Sequence, residues 1–503
     1  MTDGTCRKSR MPPQEGREPR LTSGQYPNRW WILASVMAVL VMAPVDGSAV
    51  NIIIPVIQQD FHVAHLAKVA WVQLAYLIVI GGLILPMGRL GDLWGFRRIY
   101  LVGAALFTVS SALCGLAPTL GWLIGARVLQ AVGACMMMAL SSGIVTAIFP
   151  AEERGRALGV VGMCVAIGLV IGPTFGGFLA HLQGSWRWVF FINLPIGLFG
   201  SLWCWRMLPP LRLGRPARVD WPGGLLAVAM LTALLLAITN GSSWGWVSPA
   251  VLALLALSLA SAIVFIRQER RHPAPMLDLS LFRNRVFAGA NLASMMNFLG
   301  QSCAVFLTPV LLENGFGYNT AKAGWIIAAV PAGVMLLAPI SGSLSDRIGT
   351  RGLAAAGETV VAVGLAGMAV LLHGVHAGSI AQERALPVIL CMMLLVGIGT
   401  GLFQSPNNSA IMGSVPRTHL GIGGGVLSTM RNLGMAFGIA VSSAVAGIEI
   451  PSGVAAAVHM EKLQIFHDAS VGYAVGAVFV FLGALTSLLR EDQSVGARAE
   501  TRA

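Results

Sequence analysis

The chain has 503 residues, 56% hydrophobic and only 11% charged, with a net charge of +12. Soluble chains are about a quarter charged, so no water-soluble fold hides this much apolar surface, and the composition points to an integral membrane protein. The surplus bases are dispersed over short loops between apolar runs, which reads as a positive-inside bias and not as a nucleic-acid patch.

In chain order, residues 1–29 are polar, carry Arg7, Lys8, Arg10, Arg17, Arg20 and Arg29, and lack an apolar core. They read as a cytoplasmic tail and not as a cleaved signal peptide. A helix needs about 20 apolar residues to cross a bilayer. Such runs fall at 30–56, 69–88, 98–117, 119–149, 157–181 and 188–208, then 221–240 and 249–267, then 285–310, 321–342, 352–373, 385–412, 420–447 and 469–490. The expectation is therefore an all-α membrane protein of fourteen spans. With the N-terminus inside, only Lys68, Arg187, Lys322, Arg384 and Lys462 of the 33 bases fall outside. Arg127 and Arg431 lie within spans, and every other base is inside. A split so lopsided supports the span count and puts both termini in the cytoplasm, the last tail being 493–503.

Between the second and third runs lies Gly88-Arg-Leu-Gly-Asp-Leu-Trp-Gly-Phe-Arg-Arg98, and between the tenth and eleventh lies Gly342-Ser-Leu-Ser-Asp-Arg-Ile-Gly-Thr-Arg351. Glycines let two helix ends approach and turn sharply. Asp92 can accept backbone N–H groups or pair with a nearby Arg, while Arg97 and Arg98 favour the cytoplasmic face. A charged hairpin repeated half a chain apart suggests two six-helix bundles, 30–210 and 271–492, that move against each other. The two spans between them, within 211–270, begin at Asp220-Trp-Pro-Gly-Gly224 and read as filling the lipid-side gap between the halves.

These motifs together resemble the major facilitator superfamily in its fourteen-helix drug/proton antiporter branch. Gly88 to Arg98 is similar to the family's loop 2–3 signature. Arg127-Val-Leu-Gln-Ala-Val-Gly133 resembles the helix 4 signature, with Ala131 where a Gly is usual. Gly168-Leu-Val-Ile-Gly-Pro-Thr-Phe-Gly-Gly177 resembles the helix 5 antiporter signature. Val45-Asp-Gly-Ser-Ala-Val-Asn-Ile-Ile-Ile-Pro55 and Trp186-Arg-Trp-Val-Phe-Phe-Ile-Asn-Leu-Pro-Ile-Gly197 resemble the branch's helix 1 and helix 5–6 patterns. The resemblance covers about Trp30 to Arg490. It implies two bundles plus two inserted helices, alternating access and antiport, with Gly172 and Pro173 helping to seal the two states. By spacing alone, Gly168, Gly172 and Gly176 share a face suited to close helix packing, and Pro173 permits a kink.

Of the 21 acids, only Asp46 and Glu358 fall clearly inside spans. Burying a carboxylate there costs at least about 2.5 kcal/mol, a cost that protonation removes. Asp46 lies about 24 Å from the inner end of its helix and Arg127 about 18 Å from the inner face, so their depths agree to roughly 6 Å. A bridge between them forms if the helices are neighbours, either as a proton-coupling pair or as a permanent ion pair. Glu358 reads as a second protonation site or a lure for cationic compounds, or else as a partner of Arg347 or Arg351 at an inner gate. Arg431 needs a partner, for which Glu358 is one candidate.

Polar positions in apolar helices are Asn51, Gln73, Tyr76, Asn297, Gln301, Gln404, Asn407 and Asn408. A cavity for amphipathic compounds has apolar walls and a few such groups, although each alone is as readily an interhelical hydrogen bond. With Arg431 they form the candidate substrate site. Asp92 with Arg97 and Arg98, and Asp346 with Arg347 and Arg351, read as gates built on inter-half ion pairs, the alternative being loop anchoring to lipid phosphates. Cys6, Cys114, Cys135, Cys164, Cys204, Cys303 and Cys391 form no close pair in sequence and read as free thiols. His62, His65, His181, His373 and His376 suggest no metal set.

No G-x-x-x-x-G-K-[ST] loop is present and no segment outside the spans is large enough for a catalytic domain, so the expectation is a transporter without cofactor, not an enzyme. The proton gradient is the remaining fuel. The expected function is proton-coupled export of small, amphipathic, toxic compounds across a bacterial inner membrane. Export of an endogenous metabolite or siderophore is the alternative, and any periplasmic adaptor is unspecified.

Overall fold

A computed structural model describes residues 26–63, 66–182, 185–211, 220–272, 277–318, 320–445 and 462–490. The chain is helical throughout this set. The helices are α1 (Arg29–Leu40), α2 (Met42–Asp60), α3 (Leu66–Trp94), α4 (Phe96–Gly115), α5 (Leu120–Ile148), α6 (Ala151–Leu182), α7 (Trp188–Phe191), α8 (Asn193–Met207), α9 (Trp221–Trp244), α10 (Pro249–Glu269), α11 (Arg285–Val310), α12 (Thr320–Ile327), α13 (Ala329–Ile348), α14 (Arg351–His376), α15 (Gln382–Gly413), α16 (Leu420–Val445) and α17 (Lys462–Leu489).

Three of the apolar runs are broken into two helices, and the breaks share one cause. A proline ring clashes with the carbonyl four residues earlier. Pro44, Pro195 and Pro331 stand four residues after Leu40, Phe191 and Ile327, where α1, α7 and α12 end. The chain expects fourteen spans. Among the described residues twelve stretches are both long and apolar enough to cross a membrane. The helices α6, of 32 residues, and α16, of 26, are long elements packed among them but outside that twelve. In α16 the shortfall in apolarity has a visible source: Gly421, Gly423, Gly424, Gly425, Arg431 and Asn432 displace apolar side chains.

Helices α1 to α8 pack on one another, through α4 on α5, α3 on α5, α2 on α6 and α8 on α1 and α4. Helices α11 to α17 form a second bundle, through α14 on α15 and α17, α13 on α15, and α11 on α16 and α17. The repeat seen in the sequence extends to backbone angle. Each charged hairpin turns on a glycine at the same place, Gly95 with φ 94° and Gly349 with φ 95°, a region that side chains disfavour.

The bundles meet through α6 with α13, α3 with α16 and α5 with α16. The close approaches are Gly88 to Gly421, Ala139 to Gly424, Gly155 to Gly342 and Gly159 to Ala338, all toward the end of the molecule that carries the two hairpins. At the hairpin end the backbones touch because no Cβ intervenes. Helix α9 lies against both α3 and α16, with Leu235 and Thr232 seated over Gly81 and Gly82. Helix α10 packs on α9 and turns Leu252, Leu257, Leu259 and Val264 outward.

Candidate transport site and gate

Asp46 sits one turn into α2, just past the break imposed by Pro44, and is 1% exposed. Its carboxylate accepts from Arg127 Nη1 of α5, from Gln130 Nε2 at 3.1 Å and from Asn193 Nδ2 at 3.0 Å. Arg127 is fully buried and its remaining donors are also used. Nε donates to the Val72 carbonyl at 3.2 Å and Nη2 to Gln73 Oε1 at 3.1 Å, both on α3. The guanidinium also lies 4.0 Å from the Tyr76 ring centroid. Ser111 Oγ accepts from Asn193 at 3.0 Å and donates to the Phe190 carbonyl at 2.9 Å. Buried charges are tolerated only when paired and fully hydrogen-bonded, and this pair meets both conditions. It ties α2, α3, α5 and α8 together at one depth.

The two hairpin carboxylates do not pair with the arginines next to them. Asp92, 1% exposed, crosses to the other bundle and accepts from the backbone N–H groups of Gly421 at 2.7 Å and Ile422 at 3.0 Å. These are orphan donors in the first turn of α16, where the helix dipole also favours an anion. Asp346 makes the reciprocal contact, accepting from Gly155 N at 2.9 Å and Arg156 N at 3.1 Å in the first two turns of α6. Ser405 Oγ adds a bond to the Gly155 carbonyl at 2.7 Å. The expected inter-half ion pairs are thus replaced by carboxylate-to-helix contacts. Arg97 donates instead to the Trp205 carbonyl of its own bundle, and Arg98, Arg347 and Arg351 face outward. Arginine side chains at a surface keep their water, whereas the first N–H groups of α16, in a buried seam, have no acceptor in their own helix.

Glu358 on α14 is fully buried but pairs with none of Arg347, Arg351 and Arg431. Oε2 accepts from Ser487 Oγ of α17 at 2.9 Å, and Oε1 has no hydrogen-bond partner. Close by in sequence, Arg490 Nη1 donates to Asn407 Oδ1 at 2.7 Å and Nη2 to the Thr350 carbonyl at 3.1 Å. Arg431 stands in mid-α16 with its guanidinium 5.1 Å from the Phe298 ring centroid.

The polar positions grouped as a substrate site are not brought together. Gln73 and Tyr76 belong to the Arg127 network, and Asn407 to Arg490 and the Ala290 carbonyl. Gln404 faces Gly162 of α6, while Asn408 is buried in α15. Gln301 donates to Asn297 and lines a cavity of about 20 Å³ with Thr308, Tyr473 and Met368. That volume holds one water, not a compound that needs a pocket of about 300 Å³ or more. The side chains of Asn51 and Pro173 lie outside the described set. Gly168 and Gly172 of the helix 5 signature pack against Pro44, Val45 and Ser48 of α2, and Ser48 Oγ donates to the Gly168 carbonyl at 3.1 Å. Sequence reasoning missed Gln130, Asn193 and Ser111.

Two bundles joined at one end by reciprocal carboxylate-to-backbone contacts, one of them holding a buried ion pair, have the architecture of a membrane transport protein. The chain belongs to the major facilitator superfamily, whose profile matches residues 36–439. It is a transporter and not an enzyme. It is 34% identical to the riboflavin transporter RibZ of Clostridioides difficile, over 82% of this chain and 88% of that protein. It is 33% identical to the multidrug resistance protein Stp of Mycobacterium tuberculosis, over 81% of this chain and 74% of that one. Among solved structures, the human organic anion transporter MFSD10 superposes with a TM-score of 0.65 at 14% identity, covering 92% of this chain and 100% of that one, a likeness of fold alone.

Proposed function

We propose that the protein is a proton-coupled antiporter of fourteen membrane helices that exports small amphipathic toxic compounds by alternating access. In this reading the hairpin end and both termini face the cytoplasm of a bacterial cell, and the contacts at Gly88 and Gly342 hold the cytoplasmic side shut. The observation that carries the reading is the position of Asp46, a carboxylate buried among apolar helices with one cation and two amides on it. A proton on Asp46 removes the counter-charge of Arg127. A buried arginine left without its partner costs about 3–5 kcal/mol, which favours rearrangement of whatever Arg127 holds. It holds α3, at Val72, Gln73 and Tyr76. The same helix carries Gly88 and Asp92 about 24 Å further along. In this reading α3 is an element that both the proton site and the latch bias.

The energetics suffice. At about 100 mV and one pH unit, a proton supplies roughly 3.7 kcal/mol, enough for a gradient of several hundredfold of a neutral solute. Cells expressing the protein tolerate at least one compound better in a panel of antibiotics and dyes, and Asp46→Asn abolishes this at equal expression. Unchanged tolerance in that variant removes Asp46 from the coupling role. Glu358 is the second proton site of the proposal. The similarity to the riboflavin transporter RibZ favours a metabolite as the cargo, and export of an endogenous metabolite or siderophore is the second reading. Metabolite-resolved transport in inverted vesicles separates the two.

A further inference from the structure

Arg431 is an intramembrane cation for which the described residues supply no ion pair. None of the ion pairs Arg29–Glu153, Arg127–Asp46, Arg187–Asp60 and His272–Asp220 includes it. Glu358 bonds to Ser487 of α17 and not to Arg431. The Nε of Arg431 is buried without an acceptor, and its neighbour Asn432 has a buried amide nitrogen in the same condition. Across from them, Asn297, the residue before Phe298, has a third. All three nitrogens belong to the facing helices α11 and α16, and the Asn297 side-chain oxygen is taken by Gln301.

The direction of the side chain follows from the helix. Gly424 of α16 lies against the Ala139 carbonyl of α5, in the opposite bundle. Arg431 is seven residues on, two turns further from the hairpin end on the same helical face. It is partly exposed although it sits in mid-helix. It therefore stands in the space between the bundles, just beyond the point where they touch, with the Phe298 ring beside it. By contrast, Arg127 is neutralised within its own bundle by Asp46.

We propose that Arg431 receives the anionic group of the transported compound, so that the substrate class is an amphipathic organic anion whose apolar or aromatic body lies along Phe298. This rests on the antiporter reading for transport, but not for binding. A guanidinium presents a planar fork that fits a carboxylate, sulfonate or phosphate with two parallel bonds. A cationic compound meets a like charge at the same place. Exchange of a monoanion outward for a proton inward moves two elementary charges in the same sense, so export responds to membrane potential as well as to pH.

The test is equilibrium binding to the purified full-length protein in lipid nanodiscs, with carboxyfluorescein as anion and rhodamine 123 as cation on one xanthene core. The protein binds carboxyfluorescein at least tenfold more tightly. Arg431→Gln weakens that binding at least tenfold and leaves rhodamine 123 unchanged or improved, while Arg431→Lys, which keeps the charge, retains most of the anion preference. Equal binding of the two dyes, failure to bind carboxyfluorescein, or an equal loss of both dyes in Arg431→Gln with no recovery in Arg431→Lys overturns the proposal. Asp46→Asn tells the two readings apart: loss of export with the anion preference intact concerns coupling alone.

Discussion

Replacing Asp92 by Asn removes one charge from a buried seam and leaves its shape. The carboxylate now receives two backbone N–H groups at 2.7 and 3.0 Å from the start of α16. An amide oxygen keeps one of these bonds, but the amide NH₂ faces a donor. Hydrogen bonds to charged groups contribute about 1.5–3 kcal/mol each, and a charge at a helix start about 0.3–1 kcal/mol more. Allowing for the bond that survives, closure at the hairpin end weakens by about 2–3 kcal/mol. At about 1.4 kcal/mol per decade, the ratio of open to closed molecules at that end rises about 30- to 150-fold. Spin labels at Arg98 and Arg351, both exposed and on opposite bundles, report it by double electron–electron resonance. The parent gives a short inter-label distance, and Asp92→Asn adds a longer one in that proportion. A distribution that changes less than threefold refutes the latch.

Three further perturbations follow from the same geometry. In Gly155→Ala the new Cβ falls 2.6 Å from the Gly342 carbonyl and from Asp346 Oδ1, so closure weakens by about 1–3 kcal/mol and the Arg98–Arg351 distance lengthens; an unaltered distance rejects the contact. Asp46→Asn strands Arg127 and lowers stability in detergent by about 3–5 kcal/mol, while Asp46→Asn with Arg127→Gln recovers much of this without restoring export; a double variant no more stable than the single contradicts the ion pair. Asp60, at the far end of α2 from Asp46's break, is held below the usual carboxylate range by hydrogen bonds first from Trp186 and then from Arg187. A lowered value stabilises above the unfolded pKa and is lost as pH falls through the folded one. Asp60→Asn therefore destabilises by less than about 1 kcal/mol at pH 5–8, after screening at this exposed site, and the difference from the parent shrinks as the pH falls below the usual carboxylate range in thermal unfolding.

The meeting of Asp46 and Arg127 is legible in the chain because rise per residue gives each side chain a height. The residues that complete the site are not. A lone Gln130 or Asn193 in an apolar helix says nothing about which way it points, although a carboxylate with two oxygens calls for more donors than one guanidinium supplies. The helices are legible as apolar runs, and their breaks become so once prolines 44, 195 and 331 are read against the carbonyl four residues back. The hairpin carboxylates mislead for a different reason. A sequence displays charged side chains but not the bare N–H groups at a distant helix start, so Arg97 and Arg351 look like partners for acids that bind backbone instead. Glu358 shows the same limit, since a serine near the far end of α17 leaves no mark that singles it out.

The seating of α9 makes the two flanks of the molecule unequal. Against α3 and α16 it walls off one doorway to the membrane. Among the described residues no helix covers the other, along α6 and α13, and Leu336, Ile340 and Ile348 of α13 are exposed. If the proposed function holds, a greasy compound dissolved in the leaflet enters along α6 and α13, and a bulky residue planted there blocks that lateral entry while the watery route stays clear.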